Sequence, residues 1–132
     1  MKQIRVFLLV LTVVAFFSVA HAQSNEPLAI LMTADGTIMP PMLEYFKRGI
    51  KTAEQRNAEV LVIQLNTPGG SVSVMSEMIT AIGNSTVPVV IYVSPKDAQA
   101  ASAGALITMA GHASAMSPRT VIGAASPIDS SG

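Results

Sequence analysis

The feature that most constrains the fold of this chain is the alternation of short apolar runs with segments of helical periodicity. Strand-like runs occupy residues 28–32, 59–65, 86–93 and 113–116. A segment with apolar residues at helical spacing follows each of the first three runs. The resulting order of strand, helix, strand, helix, strand, helix, strand predicts an α/β fold with a mainly parallel sheet and right-handed crossovers.

The spacing of apolar side chains also predicts which face of each helix is buried. The first helix begins at Pro40-Pro41, since proline is tolerated in the first turn. Its predicted buried side chains are Met42, Leu43, Phe46, Ile50 and Ala53. Those of the second helix are Val72, Met75, Ile79 and Ile82. The third helix, over residues 98–110, is apolar on nearly all sides and is therefore expected to be buried.

The strand predicted over residues 59–65 is almost continuously apolar, which is typical of a parallel strand buried on both faces. Methionine usually fills gaps in apolar cores. Core positions are therefore expected for Met39, Met42, Met75, Met78, Met109 and Met116.

The N-terminus has the pattern of a secretory signal peptide. Lys2 and Arg5 precede an apolar stretch of 14 residues at 6–19, and Ala20-His21-Ala22 provides a cleavage site. Such a stretch rises about 21 Å as a helix, less than the roughly 30 Å of a hydrocarbon core. We therefore expect a signal peptide at 1–22, a domain at 23–132, and export to the periplasmic or extracellular face of the membrane. An uncleaved membrane anchor is the alternative.

Charge and cysteine content exclude several classes of function. Removal of residues 1–22 leaves six basic against eight acidic side chains, a net charge of −2. A chain with no basic excess is not expected to bind nucleic acid. The sequence contains no cysteine, so disulfides, thiolate chemistry and zinc–thiolate sites are excluded.

Two segments rich in small residues follow predicted strands. Gly69-Gly70 ends the turn at residues 66–70, and Ser102 has alanine on both sides and glycine two residues later. Ligands of open α/β sheets bind at the carboxyl ends of strands, so the two segments can share a crevice. Ser102 is the candidate nucleophile, and the glycine turn is the candidate source of oxyanion-binding amides. The alternatives are a serine filling space in a packed helix and a plain strand–helix turn.

No residue is well placed by sequence to activate Ser102. His112 lies ten positions later, roughly 15 Å along a helix, and Lys96 lies in the loop six positions earlier. Each is a candidate base, and each also fits an ordinary surface or loop position. The candidate orienting carboxylates are Asp97 and Asp129.

Four segments carry a family resemblance, at residues 65–71, 87–94, 100–104 and 122–127. Together they resemble the NfeD-type membrane-bound serine proteases of the ClpP/crotonase-like class, over residues 28–127. The resemblance implies a spiral of β-β-α units and a Ser–Lys dyad with Ser102 as nucleophile. It also implies that the oxyanion amides belong to Gly70, within the Gly69-Gly70 turn, and to Ala103.

The sequence departs from that family at the general base. The family lysine follows the segment at 122–127, whereas no lysine follows Lys96. We therefore expect an N-terminal fragment of a longer protein, inactive as it stands and joined to the membrane through regions outside these residues. The resemblance implies a protein or peptide substrate, such as hydrophobic segments of stomatin-like membrane proteins, and a homo-oligomer. No cofactor or metal is expected.

Two other functions stay open from the sequence. A catalytically inactive ClpP/crotonase-like binding or scaffold module would account for the missing lysine. A crotonase-like enzyme acting on acyl thioesters would use a similar pair of amides. The signal peptide disfavours the second, since coenzyme A substrates are cytoplasmic.

Overall fold

The computed structural model of the protein describes residues 26–126, together with Gln3. The predicted signal peptide and Asp129 lie outside the described residues. Between residues 26 and 126 the elements are β1 (Ala29–Asp35), α1 (Pro40–Gln55), β2 (Val60–Asn66), α2 (Val72–Gly83), β3 (Val89–Val93), β4 (Gln99–Ala101), α3 (Ala103–Ala110), β5 (Ala113–Met116) and β6 (Val121–Gly123). None of the helices in this part of the chain is long and apolar enough to cross a membrane.

The main sheet is parallel throughout and has the strand order β1-β2-β3-β5. Because this order follows the chain in one direction, right-handed crossovers place the connecting helices on the same face of the sheet. Helix α2 contacts α1 on one side and α3 on the other. The predicted α/β fold with a mainly parallel sheet is confirmed.

Burial along β2 alternates. Leu61, Ile63 and Leu65 are fully buried under the helices, whereas the residues between them are only half-buried. On that more open face, Thr33 Oγ1 donates to Gln64 Oε1 across β1 and β2 at 3.1 Å. The prediction of burial on both faces therefore holds for one face only, because the helices lie on one side.

A second, shorter ladder runs beside the ends of the main strands. Single parallel bridges join Ile38 to Gly70 and Thr67 to Ala100, and β4 pairs in parallel with β6. After each of the first three main strands, the chain therefore adds a short extended segment before its helix. This is the repeated β-β-α unit that the family resemblance implies.

The prediction of a helix over residues 98–110 is wrong at the N-terminal end. Gln99–Ala101 is the strand β4, and α3 begins only at Ala103. The main chain of β4 pairs with β6 on one side and with Thr67 on the other. Small apolar residues suit a strand or a helix equally well, so these distant partners decide the conformation.

The buried face of α1 follows the prediction except for Met42, which is half-buried, and that of α2 follows it only at Met75 and Ile82, since Ile79 is half-buried. Helix α1 buries Leu43, Phe46, Ile50 and Ala53, and α2 buries Val74, Met75, Met78 and Ile82. Val72, predicted to be buried, is 70% exposed because it is the first residue of α2, directly after the N-cap Ser71. The core prediction is also wrong for three methionines that are exposed, namely Met39, Met109 and Met116.

Candidate active site

Ser102 occupies a sharp turn between β4 and α3. Its φ of 54° and ψ of −120° are uncommon for a residue with a side chain and cost about 1–3 kcal/mol. The Ser102 N–H donates to Gly123 O at 2.8 Å, so β6 helps to hold the turn. A strained strand-to-helix turn of this kind exposes the hydroxyl of the nucleophilic serine in α/β-hydrolases.

The Ser102 hydroxyl has no structural partner within residues 26–126. It does not cap α3, although Ser102 is the N-cap residue, and it hydrogen-bonds to no other side chain there. Serine at a helix start normally accepts a hydrogen bond from the first turn. This hydroxyl is therefore free to react with a ligand.

The Gly69-Gly70 turn lies directly against Ser102. Gly69 has a φ of 108°, and a Cβ added there would stand 2.8 Å from Ser102 Cβ and 3.0 Å from Ala101 O. Only glycine fits at such an approach. The two small-residue segments singled out from the sequence are thus neighbours in the fold.

Hydrogen bonds around the turn determine which amides are free. The Gly69 N–H donates to Thr67 Oγ1 at 3.0 Å, and Gly69 O accepts from the Ile38 N–H at 2.9 Å. Carbonyl and N–H point in opposite directions across a trans peptide, so the Gly70 N–H points away from Ile38. Neither this N–H nor that of Ala103 donates to another group in residues 26–126. Two free donors therefore remain near Ser102.

A cleft of about 420 Å³ joins these groups. Its size is within the usual range of ligand sites. Besides the serine and the two amides, its walls include the apolar side chains of Val72, Met75 and Leu106. The lining residues are Gly70, Val72, Met75, Ser102, Ala103, Leu106, Ala125 and Ser126. No titratable side chain of the described part of the chain is among them.

The predicted base and orienting residues of the described part of the chain, His112, Lys96 and Asp97, do not meet Ser102. His112 lies beyond the other end of α3, and its Nδ1 accepts from the Val89 N–H at 3.1 Å. Lys96 is exposed in the turn between β3 and β4 and does not line the cleft. Asp97 forms an ion pair with Arg119, with 2.7 Å between Oδ1 and Nε. These residues are structural or surface groups in the described part of the fold.

Sequence reasoning missed several groups that build the site. Thr67 and Ile38 hold the glycine turn, and Gly123 O holds the Ser102 N–H. No local pattern marks a carbonyl or a buried hydroxyl as a partner of a distant segment. For the cleft wall the sequence does carry a signal, because Val72 directly follows Gly69-Gly70-Ser71 and must therefore lie near the turn.

The class of fold follows from a comparison with a distantly related solved structure. The ClpP protease catalytic domain from Plasmodium falciparum is 14% identical in sequence and superposes with a TM-score of 0.57. The superposition covers 65% of this chain and 53% of that domain. At this identity the likeness shows a shared fold, which is the ClpP-like α/β fold.

The family follows from the sequence itself. Residues 30–132 match the family described as NfeD1b, N-terminal domain, and the chain belongs to that family. It is 46% identical over 93 residues to the membrane-bound protease PH1510 of Pyrococcus horikoshii, covering 70% of this chain and 21% of that protein. It is 27% identical over 112 residues to the membrane protein NfeD1b of Bacillus subtilis, covering 85% and 25%.

Solved structures of the Pyrococcus horikoshii protein resemble the chain more closely than ClpP does. A lysine-to-alanine variant of 1510-N, a membrane-bound stomatin-specific protease, in complex with a substrate peptide superposes with a TM-score of 0.77 at 41% identity. That superposition covers 79% of this chain and 48% of the solved one. A serine-to-alanine variant gives a TM-score of 0.77 at 39% identity, covering 81% and 53%. The chain therefore spans about half of these solved protease chains.

Proposed function

We propose that residues 23–132 form the N-terminal part of a ClpP-like serine endopeptidase domain with Ser102 as its nucleophile. One observation carries the proposal: a free serine hydroxyl on a strained turn lies beside the free N–H groups of Gly70 and Ala103. Relatives named as proteases support the same class of reaction.

The chemistry follows from these positions. Ser102 Oγ attacks the carbonyl carbon of a peptide bond while its proton passes to a base, and the carbonyl oxygen becomes negative. The N–H groups of Gly70 and Ala103 stabilise that oxygen, and loss of one such donor typically lowers kcat about 10²–10³-fold. The amine leaves with the proton from the base, and water then hydrolyses the acyl-serine. Gly69 contributes by its lack of a side chain, since its N–H is already bound.

The base in this proposal is a lysine outside the described residues. Within residues 26–126 no titratable side chain lines the cleft. A lysine can act as a base when desolvation lowers its pKa. The solved lysine-to-alanine variant of the Pyrococcus domain with its substrate peptide supports this assignment.

The substrate in this proposal is an apolar polypeptide segment. Val72, Met75 and Leu106 give the cleft an apolar wall that suits an aliphatic side chain. The related protease is described as stomatin-specific, which supports hydrophobic segments of stomatin-like membrane proteins as substrates. A homo-oligomer and an extracytoplasmic location belong to the same proposal and are supported by the family resemblance and the predicted signal peptide.

Fluorophosphonate labelling and peptide cleavage by the full-length protein test the nucleophile. We expect Ser102→Ala to abolish both, because the reacting oxygen is removed. Ser76→Ala is the matched control, since this exposed serine on α2 bonds only to Val72 O. Cleavage that persists in Ser102→Ala would contradict the proposal.

A catalytically inactive binding or scaffold module is the second candidate. The observation that favours it is the absence of a titratable side chain from the cleft lining in the described residues. The same experiment separates the two functions. A full-length protein that binds an apolar peptide but neither labels nor cleaves would support the second.

A further inference from the structure

The side chain of Thr67 is buried where the glycine turn, β4 and α3 meet. It has no exposed surface and is one of three buried polar residues in the described part of the chain. The Thr67 N–H donates to Gln99 O at 2.7 Å, and Thr67 O accepts from the Ala101 N–H at 3.0 Å. Because Ala101 immediately precedes Ser102, the main chain of Thr67 is fixed relative to the proposed nucleophile.

The hydroxyl of Thr67 holds the glycine turn. Its Oγ1 accepts from the Gly69 N–H at 3.0 Å and donates to Gly69 O at 3.4 Å. The next peptide is also held by Ile38, whose N–H donates to Gly69 O. The second of these peptides carries the Gly70 N–H. Glycine has wide conformational freedom, so the direction of this N–H depends on these three bonds.

The methyl group of Thr67 supports the start of α3. A Cβ added at Gly104 would fall on Thr67 Cγ2, so the first turn of the helix packs directly against this methyl. Gly104 follows Ala103, whose N–H is the second free donor. The Thr67 side chain thus contacts Gly69 and Gly104, which adjoin the two residues with free N–H groups, Gly70 and Ala103. It does not itself line the cleft.

We propose that Thr67 is a positioning residue of the active site, whose buried hydroxyl aims the Gly70 N–H at the oxygen that becomes negative when Ser102 attacks. The proposal rests on the serine-protease function proposed above. The Gly70 N–H acts mainly in the transition state, so loss of the Thr67 hydroxyl lowers kcat more than it changes substrate binding.

Two variants of the full-length protein separate the roles of the hydroxyl and the methyl. Thr67→Val keeps the shape and the methyl but removes the hydroxyl that accepts from the Gly69 N–H and donates to Gly69 O. Thr67→Ser keeps the acceptor and removes the methyl. We expect Thr67→Val to lower kcat about 10–100-fold with KM within about twofold, a loss at or below that of deleting an oxyanion donor. We expect Thr67→Ser to stay within about threefold of the unmodified protein.

The value of kcat is calculated per molecule whose Ser102 reacts with a fluorophosphonate. Labelling with a fluorophosphonate to completion counts the molecules with a folded, reactive Ser102. A purely structural role of Thr67 would lower this count without changing kcat per labelled site. An unchanged kcat per site in Thr67→Val, or a kcat in Thr67→Ser as low as in Thr67→Val, would overturn the inference.

A second comparison applies if Thr67→Val does not fold. Thr67→Ser and Thr67→Ala both lack the methyl and differ only in the hydroxyl, so equal kcat values would overturn the inference and a roughly tenfold higher value for serine would support it. Ser102→Ala is measured alongside. Cleavage that does not depend on Ser102 refutes the proposed function and the role of Thr67 with it. Ser102-dependent cleavage with a fully active Thr67→Val refutes only the role of Thr67.

Discussion

Ser102 combines an unfavourable backbone conformation with a hydroxyl that bonds to nothing in residues 26–126. Neither property stabilises the fold. A serine that merely filled space in a helix would have helical dihedral angles and would bond to the preceding turn or cap the helix. Strain of this kind persists where the surrounding structure fixes it, here through the Ser102 N–H bond to Gly123 and the contact with Gly69.

Gly69→Ala tests that contact at the scale of one residue. An added Cβ would press on Ser102 Cβ and Ala101 O in a backbone conformation that alanine disfavours. We expect the free energy of unfolding to fall by roughly 1–3 kcal/mol, measured by urea denaturation, and cleavage activity to fall with it.

Gly83→Ala is the matched control for this substitution. Gly83 is the last residue of α2, and a Cβ there would meet nothing within 4 Å. Alanine at this position should raise the free energy of unfolding by about 0.5–1 kcal/mol. Equal stability of Gly69→Ala and the unmodified protein would contradict the described approach of the turn to Ser102.

At the scale of an element, α2 has two functions. Its buried side chains belong to the core between the helices and the sheet. Its first residue, Val72, lies outside the core and forms a wall of the cleft. The helix begins directly after the glycine turn, with the Val74 N–H bonded to Ser71 Oγ at 3.4 Å. One short segment therefore supplies a free amide and the neighbouring apolar wall.

Alanine substitutions in α2 check this assignment. Met78 is fully buried, so Met78→Ala should lower the free energy of unfolding by about 2–5 kcal/mol through lost burial and the cavity left behind. Val72→Ala should change it by no more than about 0.5 kcal/mol, because this side chain is 70% exposed. Urea denaturation of both variants measures the difference, and a larger loss for Val72→Ala would contradict the orientation of the helix.

Across the fold of residues 26–126, one edge of the main sheet is more exposed than the rest. Strand β5 pairs with β3 on one edge, and each of its four residues is exposed. The last of these four residues, Met116, and Met109 near the end of α3 are large apolar side chains that are exposed. The groups of the candidate site come from the better-packed part of the fold, around β2, β4 and the first turn of α3.

The isolated segment 23–132 should show no proteolytic activity in a peptidase assay. The lysines of the described residues are all on the surface. Lys47 forms an ion pair with Glu77, with 3.2 Å between Nζ and Oε2. A serine hydroxyl without a nearby base is a weak nucleophile. The full-length protein assayed in parallel is the control, and cleavage by the segment that is lost in Ser102→Ala would refute this expectation.

Much of the site was predictable because its signals are local. Gly69-Gly70 lies in the turn after the apolar strand β2, and Ser102 lies nine positions after the end of β3. Their meeting at one edge follows from a parallel sheet. A base for Ser102 was not predictable in the same way. His112 and Lys96 were candidates by sequence distance alone, and the fold directs them elsewhere.

The alternation of strands and helices, the parallel sheet and most of the buried helix faces can be predicted from the sequence, because the periodicity of apolar side chains is a local property. Three features could not be predicted in this way: residues 99–101 are a strand, Val72 lines a cleft, and Gly70 and Ala103 keep free N–H groups. These outcomes depend on hydrogen bonds between segments far apart in the chain, such as those of Thr67 with β4 and of Ile38 with Gly69. Such partners exist only once the successive β-β-α units have stacked.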